Sequence, residues 1–99
     1  MSTQTDRELL EMAAKAAGYK SCGMYEDGRI YLLGIQAPWI PLTCDGDALR
    51  LAVKLKLKGA FDEVWVISWT SISEYEADPH AATRRAIVRA AANIGKAMP

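Results

Sequence analysis

The chain has 99 residues, of which 51% are hydrophobic and 24% are charged, a balance that predicts one folded domain and excludes a wholly disordered protein. Twelve Lys and Arg residues balance twelve Asp and Glu residues, which excludes a global positive field that would draw the protein onto nucleic acid or an anionic membrane. No apolar run approaches the roughly 20 residues that span a bilayer, and residues 1–7 are too polar for a signal segment, so we expect a cytoplasmic protein with reduced cysteines.

The first predicted element is a helix over residues 6–17. Thr5 and Glu8 have the spacing of a capping box, in which two side chains bond the free backbone N–H groups of the first turn. Apolar residues then recur at helical intervals as far as Gly18, which can end the helix in the left-handed conformation. Residues 1–5, which precede this helix, are expected to be disordered.

A β-hairpin is predicted next, with strands over residues 22–25 and 29–34. Asp27 and Gly28 lie between them and supply the positive φ that a tight two-residue turn requires. The second strand carries few of the charges or prolines that protect a sheet edge, so it is predicted to pair with a second copy in a homodimer. The alternative is that the first helix or the following loop covers this edge within one chain.

Residues 35–45 are predicted to form a loop, because Pro38 and Pro41 cannot donate hydrogen bonds to a strand ladder. The loop carries much apolar surface, so it is expected to pack down onto the domain. Trp39 lies in this loop and is the best candidate for an exposed aromatic side chain.

A second helix is predicted to begin at Asp45 or Asp47, either of which can cap it, and to end at Gly59. Apolar residues cover about 200° of its circumference, so the helix is predicted to be deeply buried. These apolar residues are Ala48, Leu49, Leu51, Ala52, Val53 and Leu55. The remaining surface carries Arg50, Lys54 and Lys58.

Residues 64–67 form a continuous β-prone apolar run, which predicts the central strand of a sheet covered on both faces. Trp65 and Trp69 are an even number of residues apart, so in a strand both side chains would lie on the same face. This placement on an apolar strand favours core packing over base stacking. Residues 72–76 alternate weakly between apolar and polar types. They predict either an extension of the central strand or a short edge strand.

The last helix is predicted with Asp78 as its N-cap, Pro79 at its first position and an alanine-rich stretch over residues 80–98. One face of this helix is apolar, and the opposite face is predicted to be a cationic stripe exposed to solvent. The stripe contains Arg85, Arg89 and Lys96. The element order α-β-β-α-β-α predicts a small three-layer α/β/α sandwich that forms a single domain over residues 6–99.

Two stretches have a pattern of residues that helix formation by itself does not require. They are residues 39–55, WIPLTCDGDALRLAVKL, and residues 78–95, DPHAATRRAIVRAAANIG. Both resemble the bacteriophage ABA-sandwich family of small phage and prophage proteins. The resemblance implies an α/β/α sandwich and a protein that acts in the cytoplasm of a bacterial host, and it implies no particular activity. Cys44 stands where a second acidic residue is expected, and the first 35 residues have no counterpart in the pattern.

The candidates for metal binding or acid–base catalysis are Asp45, Asp47 and His80, because closely spaced carboxylates can share a cation or a proton. Helix capping explains both aspartates without a ligand, and a single histidine without a nucleophile is more often structural. Cys22 and Cys44 cannot complete a four-ligand metal site with one histidine. The sequence therefore predicts no enzyme, no metal site and no cofactor.

Two groups of basic side chains are candidates for binding phosphates or an acidic partner, with ordinary solvated helix faces as the alternative. The first group is Arg84, Arg85 and Arg89, the second is Arg50, Lys54 and Lys58, and Trp39 could stack on a base. One hypothesis is a phage accessory protein that binds a host protein and inhibits a bacterial defence system of the anti-CRISPR kind. The other is a nucleotide or nucleic-acid binding protein.

Overall fold

Helices dominate the architecture. The computed structural model describes residues 6–19, 21–24, 30–32, 39–60 and 62–99. They form the helices α1 (Asp6–Ala16), α2 (Asp45–Lys54), α3 (Glu63–Trp69), α4 (Ile72–Ala77) and α5 (Pro79–Ala97), and the strands β1 (Ser21–Met24) and β2 (Ile30–Leu32). Within these ranges, no helix has the length and apolar character needed to cross a membrane.

The two strands pair antiparallel, with Ser21 opposite Leu32 and Met24 opposite Ile30. This ribbon is the only sheet in the described part of the chain, and it has two strands. The predicted three-layer α/β/α sandwich is therefore wrong, because no sheet in the described ranges provides a middle layer between helices. The turn predicted at Asp27 and the disorder predicted for residues 1–5 lie outside the described residues.

The centre of the fold is α5, which contacts each of α1, α2, α3 and α4. The prediction of a surface-docked helix with one free face is therefore wrong. Its buried residues are mostly small and are spread around the helix. They are Ala82, Ala86, Ile87, Val88, Ala90, Ala91, Ala92 and Gly95. Because alanine side chains project little from the helix, neighbouring helices can pack closely on several sides.

The predicted left-handed end of the first helix is confirmed. Gly18 has a φ of +78°, the Tyr19 N–H donates to the Ala14 carbonyl at 2.9 Å, and the Gly18 N–H donates to the Lys15 carbonyl at 3.1 Å. This pair of bonds is a Schellman motif, which satisfies two carbonyl groups that the end of the helix leaves free. The chain then leaves α1 with Tyr19 packed against the core.

The predicted central strand is wrong, because residues 64–67 lie within the helix α3. Asp62 is its N-cap, and Asp62 Oδ1 accepts the N–H groups of Val64 at 2.9 Å and Trp65 at 3.3 Å. Val66 is fully buried whereas Val64 is 77% exposed, so the run is covered on one side only. A helix satisfies its hydrogen bonds locally, whereas a strand depends on neighbouring strands.

Residues 72–76 also form a helix, α4, and not a strand. Ser71 is its N-cap, and the Ser71 hydroxyl oxygen accepts the Glu74 N–H at 3.0 Å. Both α3 and α4 pack against α5 around a small second core cluster. That cluster contains Val66, Ala82 and Ala86, with Trp65, Trp69 and Tyr75 packed against it.

The helix α2 is shorter and less buried than its apolar pattern predicts. It ends at Lys54, before the predicted stop at Gly59. Ala48, Leu51 and Ala52 are buried against the main core, which is shared with α1 and α5. Leu49 is 49% exposed and Val53 is 67% exposed. The predicted apolar arc therefore divides into a buried face and an apolar solvent-facing edge.

Candidate binding surface on α2 and α5

A groove of about 240 Å³ lies between α2 and the first half of α5. Its lining residues are Asp45, Ala48, Leu49, His80, Thr83, Arg84 and Ile87. On α2 they are at positions i, i+3 and i+4, and on α5 at positions i, i+3, i+4 and i+7, which places them on one face of each helix. The fold thus brings together Asp45, His80 and Arg84, three residues that the sequence indicated as candidates.

Arg84 forms one side of this groove and is held by two acceptors. Its Nε donates to the Leu42 carbonyl at 2.9 Å, and its Nη1 lies 2.6 Å from Asp45 Oδ1. The Arg84 side chain is 18% exposed and that of Asp45 is 74% exposed. The guanidinium therefore joins α5 to the start of α2, and its charge is neutralised within the chain.

The prediction that Asp45 or Asp47 caps α2 is wrong, because Cys44 is the N-cap residue and no side chain makes a cap hydrogen bond there. Asp47 Oδ2 accepts the Ile40 N–H at 3.0 Å, and Asp47 Oδ1 accepts from Arg50 Nη1 at 3.0 Å. Both aspartates lie in the first turn, where negative charge interacts favourably with the helix dipole. In the described part of the chain, no three His, Cys, Asp or Glu side chains gather as a metal-binding group.

His80 is exposed on the rim of the groove. Asp78, two residues before His80, is the N-cap of α5, and its Oδ1 accepts the Ala81 N–H at 3.1 Å. The sequence placed Asp78 at this cap. The other predicted cap, Thr5, lies outside the described residues.

The other two arginines of the first basic group contact different elements. Arg85 Nη1 lies 3.0 Å from Asp6 Oδ1 on α1. Arg89 Nη1 donates to the Trp69 carbonyl at 2.8 Å and lies 3.8 Å from Glu74 Oε1. Both side chains are about two-thirds covered. The predicted solvent-facing cationic stripe is therefore wrong for these two arginines, which connect α5 to its neighbours.

The second basic group is also dispersed. Arg50 pairs with Asp47, and Lys54 Nζ lies 5.0 Å from the centroid of the Tyr19 ring, a cation–π distance. Lys58 is exposed. These three side chains do not engage one common surface.

Trp39 is 5% exposed, so the prediction of an exposed aromatic side chain is wrong. Its ring meets the Tyr19 ring edge to face, with centroids 5.8 Å apart and planes at 76°. The neighbouring Pro41 is also buried. In the described part of the loop before α2, Trp39 therefore lies in the core with α1, α2 and α5, and Leu42 packs against that core.

A second depression, of about 390 Å³, was not indicated by the sequence. It lies between the segment after α2, the end of α3 and the second half of α5. Its lining residues are Leu55, Lys56, Leu57, Lys58, Trp65, Trp69, Ala90, Asn93 and Ile94. The i, i+4 spacing of Trp65 and Trp69 was the available signal, since on a helix it places both indoles on one face.

No protein-family model, curated protein or solved structure matches the chain.

Proposed function

We propose that this chain is a small phage-encoded accessory protein that acts by binding a host protein through the outer surface of α2. The observation that carries the proposal is the exposure of Leu49 and Val53, at 49% and 67%. These side chains are i, i+4 neighbours on one helix, and Leu49 also lines the groove against α5. A cluster of exposed apolar side chains beside a groove is typical of protein-binding surfaces, whereas a single exposed leucine is not.

The polar groups around this surface support a protein partner. The Asp45–Arg84 ion pair lies at one side of the groove, and Arg50 on the same helix has a side chain that is 71% exposed. An apolar centre surrounded by polar and charged groups is the usual composition of a protein–protein interface. The surface therefore has the apolar contact area for affinity and the polar groups for specificity.

The class of partner is proposed from the resemblance to small phage proteins. An inhibitor of a bacterial defence system, of the anti-CRISPR kind, acts by covering a surface of its target and needs no catalytic groups. The Leu49–Val53 surface suits that mode of action. The sandwich fold that the resemblance implied is not part of the proposal, because the described residues form a helical core.

Nucleic-acid binding by the first basic group is disfavoured by its internal contacts. Arg84, Arg85 and Arg89 each hold a carboxylate of another segment. A phosphate would have to displace these carboxylates and break links between elements, whereas free surface arginines would bind it without that cost.

Two assays test the proposal. A pull-down from the bacterial host measures whether the protein binds a partner, and phage plating on cells that carry a defence system measures whether the protein gives phage a plating advantage. Charge substitutions on two surfaces are compared in both assays. The double variant Leu49→Lys/Val53→Lys is expected to lose the partner and the plating advantage. Val64→Lys is the matched control, since Val64 is also an exposed apolar residue but lies on α3. Circular dichroism checks that both variants fold.

Two outcomes contradict the proposal. One is a wild-type protein with neither a specific partner nor a plating advantage. The other is a double variant that keeps both. If the double substitution instead converts a dimer to a monomer in light scattering, the surface is occupied by a second copy of the chain.

A further inference from the structure

Two tryptophan side chains line the 390 Å³ depression. Trp65 and Trp69 lie one turn apart on α3, with ring centroids 6.2 Å apart and planes at 53°. Both are half-buried and packed against the cluster that contains Val66, so the rings are held in place while part of each remains open to solvent. A fixed, partly exposed indole surface binds planar rings by stacking and edge contacts.

The same depression is lined by two lysines whose positive charge the described residues do not neutralise. Lys56 and Lys58 both line the depression, and within the described ranges neither has an acidic partner. The arginines 50, 84, 85 and 89, by contrast, are all paired with carboxylates. A ligand that covers the indoles therefore meets two ammonium groups, which favours a ligand with an anionic group beside a planar ring.

Lys56 occupies a backbone conformation that favours glycine. It follows the C-cap of α2 with a φ of +53°, its N–H donates to the Val53 carbonyl, and the Leu57 N–H donates to the Ala52 carbonyl. This is a Schellman motif in which glycine usually fills the left-handed position. The chain places a lysine there instead, at a position that lines the depression, despite the backbone preference.

From these three observations we infer that the depression is a binding site for a nucleoside monophosphate, with the base against Trp65 and Trp69 and the phosphate at Lys56 and Lys58. Its volume lies in the range of small-molecule sites, and Asn93 adds a side-chain amide to the lining. The site does not include Leu49, whereas Val53 lies in an adjoining depression with Lys56 and Lys58. The inference therefore rests on a different surface from the proposed protein-binding one, and the two surfaces meet at these lysines.

The test is a titration of the ¹⁵N-labelled protein with AMP to about 10 mM, followed by the indole N–H signals of its three tryptophans. The signals of Trp65 and Trp69 are expected to shift and saturate, and that of the buried Trp39 is expected to stay in place. Adenosine and inorganic phosphate each supply half of the contacts, so each is expected to bind at least about tenfold more weakly than AMP.

Three variants test the residues of the site. Lys56→Gly and Lys58→Ala are each expected to weaken AMP binding about two- to fivefold, as partly exposed charge contacts do. Trp69→Leu removes a stacking surface and is expected to weaken it about five- to a hundredfold. The control is Lys96→Ala, which removes an exposed lysine that does not line the site. Lys56→Gly relieves backbone strain, so weaker binding by that variant does not arise from unfolding.

The inference is overturned if neither Trp65 nor Trp69 shows a saturable shift, or if Lys56→Gly and Lys58→Ala both bind AMP as the wild type does. A parallel titration with an adenine dinucleotide distinguishes a free nucleotide from a nucleotide within a single strand. If the dinucleotide binds more than about tenfold tighter than AMP, the base and phosphate belong to a single strand, and equal binding indicates a free nucleotide. Leu49→Lys changes a residue that does not line the depression and is expected to bind AMP normally, so the two proposals fail separately.

Discussion

The backbone of Gly95 lies directly against the backbone of Met12 where α5 crosses α1. A Cβ atom at Gly95 would clash with the Met12 carbonyl oxygen and would lie 2.8 Å from the Met12 carbonyl carbon and 3.3 Å from the Ala16 nitrogen. All three contacts are with backbone atoms, which cannot move aside as a side chain does. The absence of a side chain at Gly95 therefore sets the distance between these two helices.

Gly95→Ala is expected to lower the free energy of unfolding by about 2 kcal/mol, because α1 and α5 must separate to admit the methyl group. At an unobstructed helix position the same change raises stability by roughly 0.5–1 kcal/mol. The matched control is Gly46→Ala on α2, where the nearest atom to a new Cβ is the flexible Arg50 Nη1 at 3.3 Å. Urea unfolding measures the free energy of unfolding of both variants. A Gly95→Ala protein as stable as the wild type would contradict the close crossing.

Lys56→Gly is expected to raise the free energy of unfolding by about 0.5–1 kcal/mol. Glycine adopts the positive φ of this position without strain, and this gain exceeds the entropy that glycine adds to the unfolded chain. Lys58→Gly is the control, because Lys58 has no positive φ and the change brings only the entropic loss. Thermal unfolding compares the two. A lower midpoint for Lys56→Gly than for Lys58→Gly would rule out relief of backbone strain.

Arg84→Ala is expected to destabilise the fold by about 2 kcal/mol, and Arg85→Ala by less than about 1 kcal/mol. Arg84 is mostly covered and its removal leaves the Leu42 carbonyl without its donor, whereas Arg85 pairs with the exposed Asp6. Arg84→Lys is expected to recover little, since an ammonium group lacks the planar fork that reaches both acceptors. Equal losses for the two alanine variants in urea unfolding would show that Arg84 is not a structural link.

Asp62→Ala is expected to lower stability by about 1 kcal/mol and to reduce helical circular dichroism, because the side chain caps two N–H groups of α3. Glu63→Ala, one position later, removes a carboxylate that makes no cap bond and is expected to cost a few tenths of a kcal/mol. Stability and helicity unaltered by both changes would contradict the capping of α3 by Asp62.

Homodimer formation stays a prediction. Only residues 30–32 of the predicted edge strand are described, and they pair with β1. Light scattering at micromolar concentration is expected to give a mass near twice the 10.9 kDa of one chain. Tyr31→Pro, which removes a donor from this strand, should then return the mass to that of a monomer. A monomer before any substitution would refute the edge-pairing argument.

The sequence alone was sufficient for the two ends marked by local hydrogen bonds. Gly18 ends α1 and Asp78 begins α5, where the sequence placed them. In both cases the donors and acceptors lie within five residues of each other along the chain. Signals of this range can be recognised without knowing what the rest of the protein does.

Residues 63–69 show where the local signal was ambiguous. Their valine, isoleucine and tryptophan residues favour a strand, and the aspartate before them favours a helix. Only the tertiary structure decided between the two, because a strand needs partner strands on which to form its hydrogen bonds. In the described fold this segment instead meets α5, and a helix buries Val66 there while bonding its own backbone.

The exposure of the candidate residues was also decided by the tertiary structure. Arg84 binds acceptors 42 and 39 residues away in sequence, Trp39 is buried, and Leu49 is exposed. Helical periodicity identifies which side chains share a face, but it does not show how much of that face a neighbouring helix covers. Coverage depends on how closely helices approach, and here it follows from small side chains on α5 that are spread around its circumference.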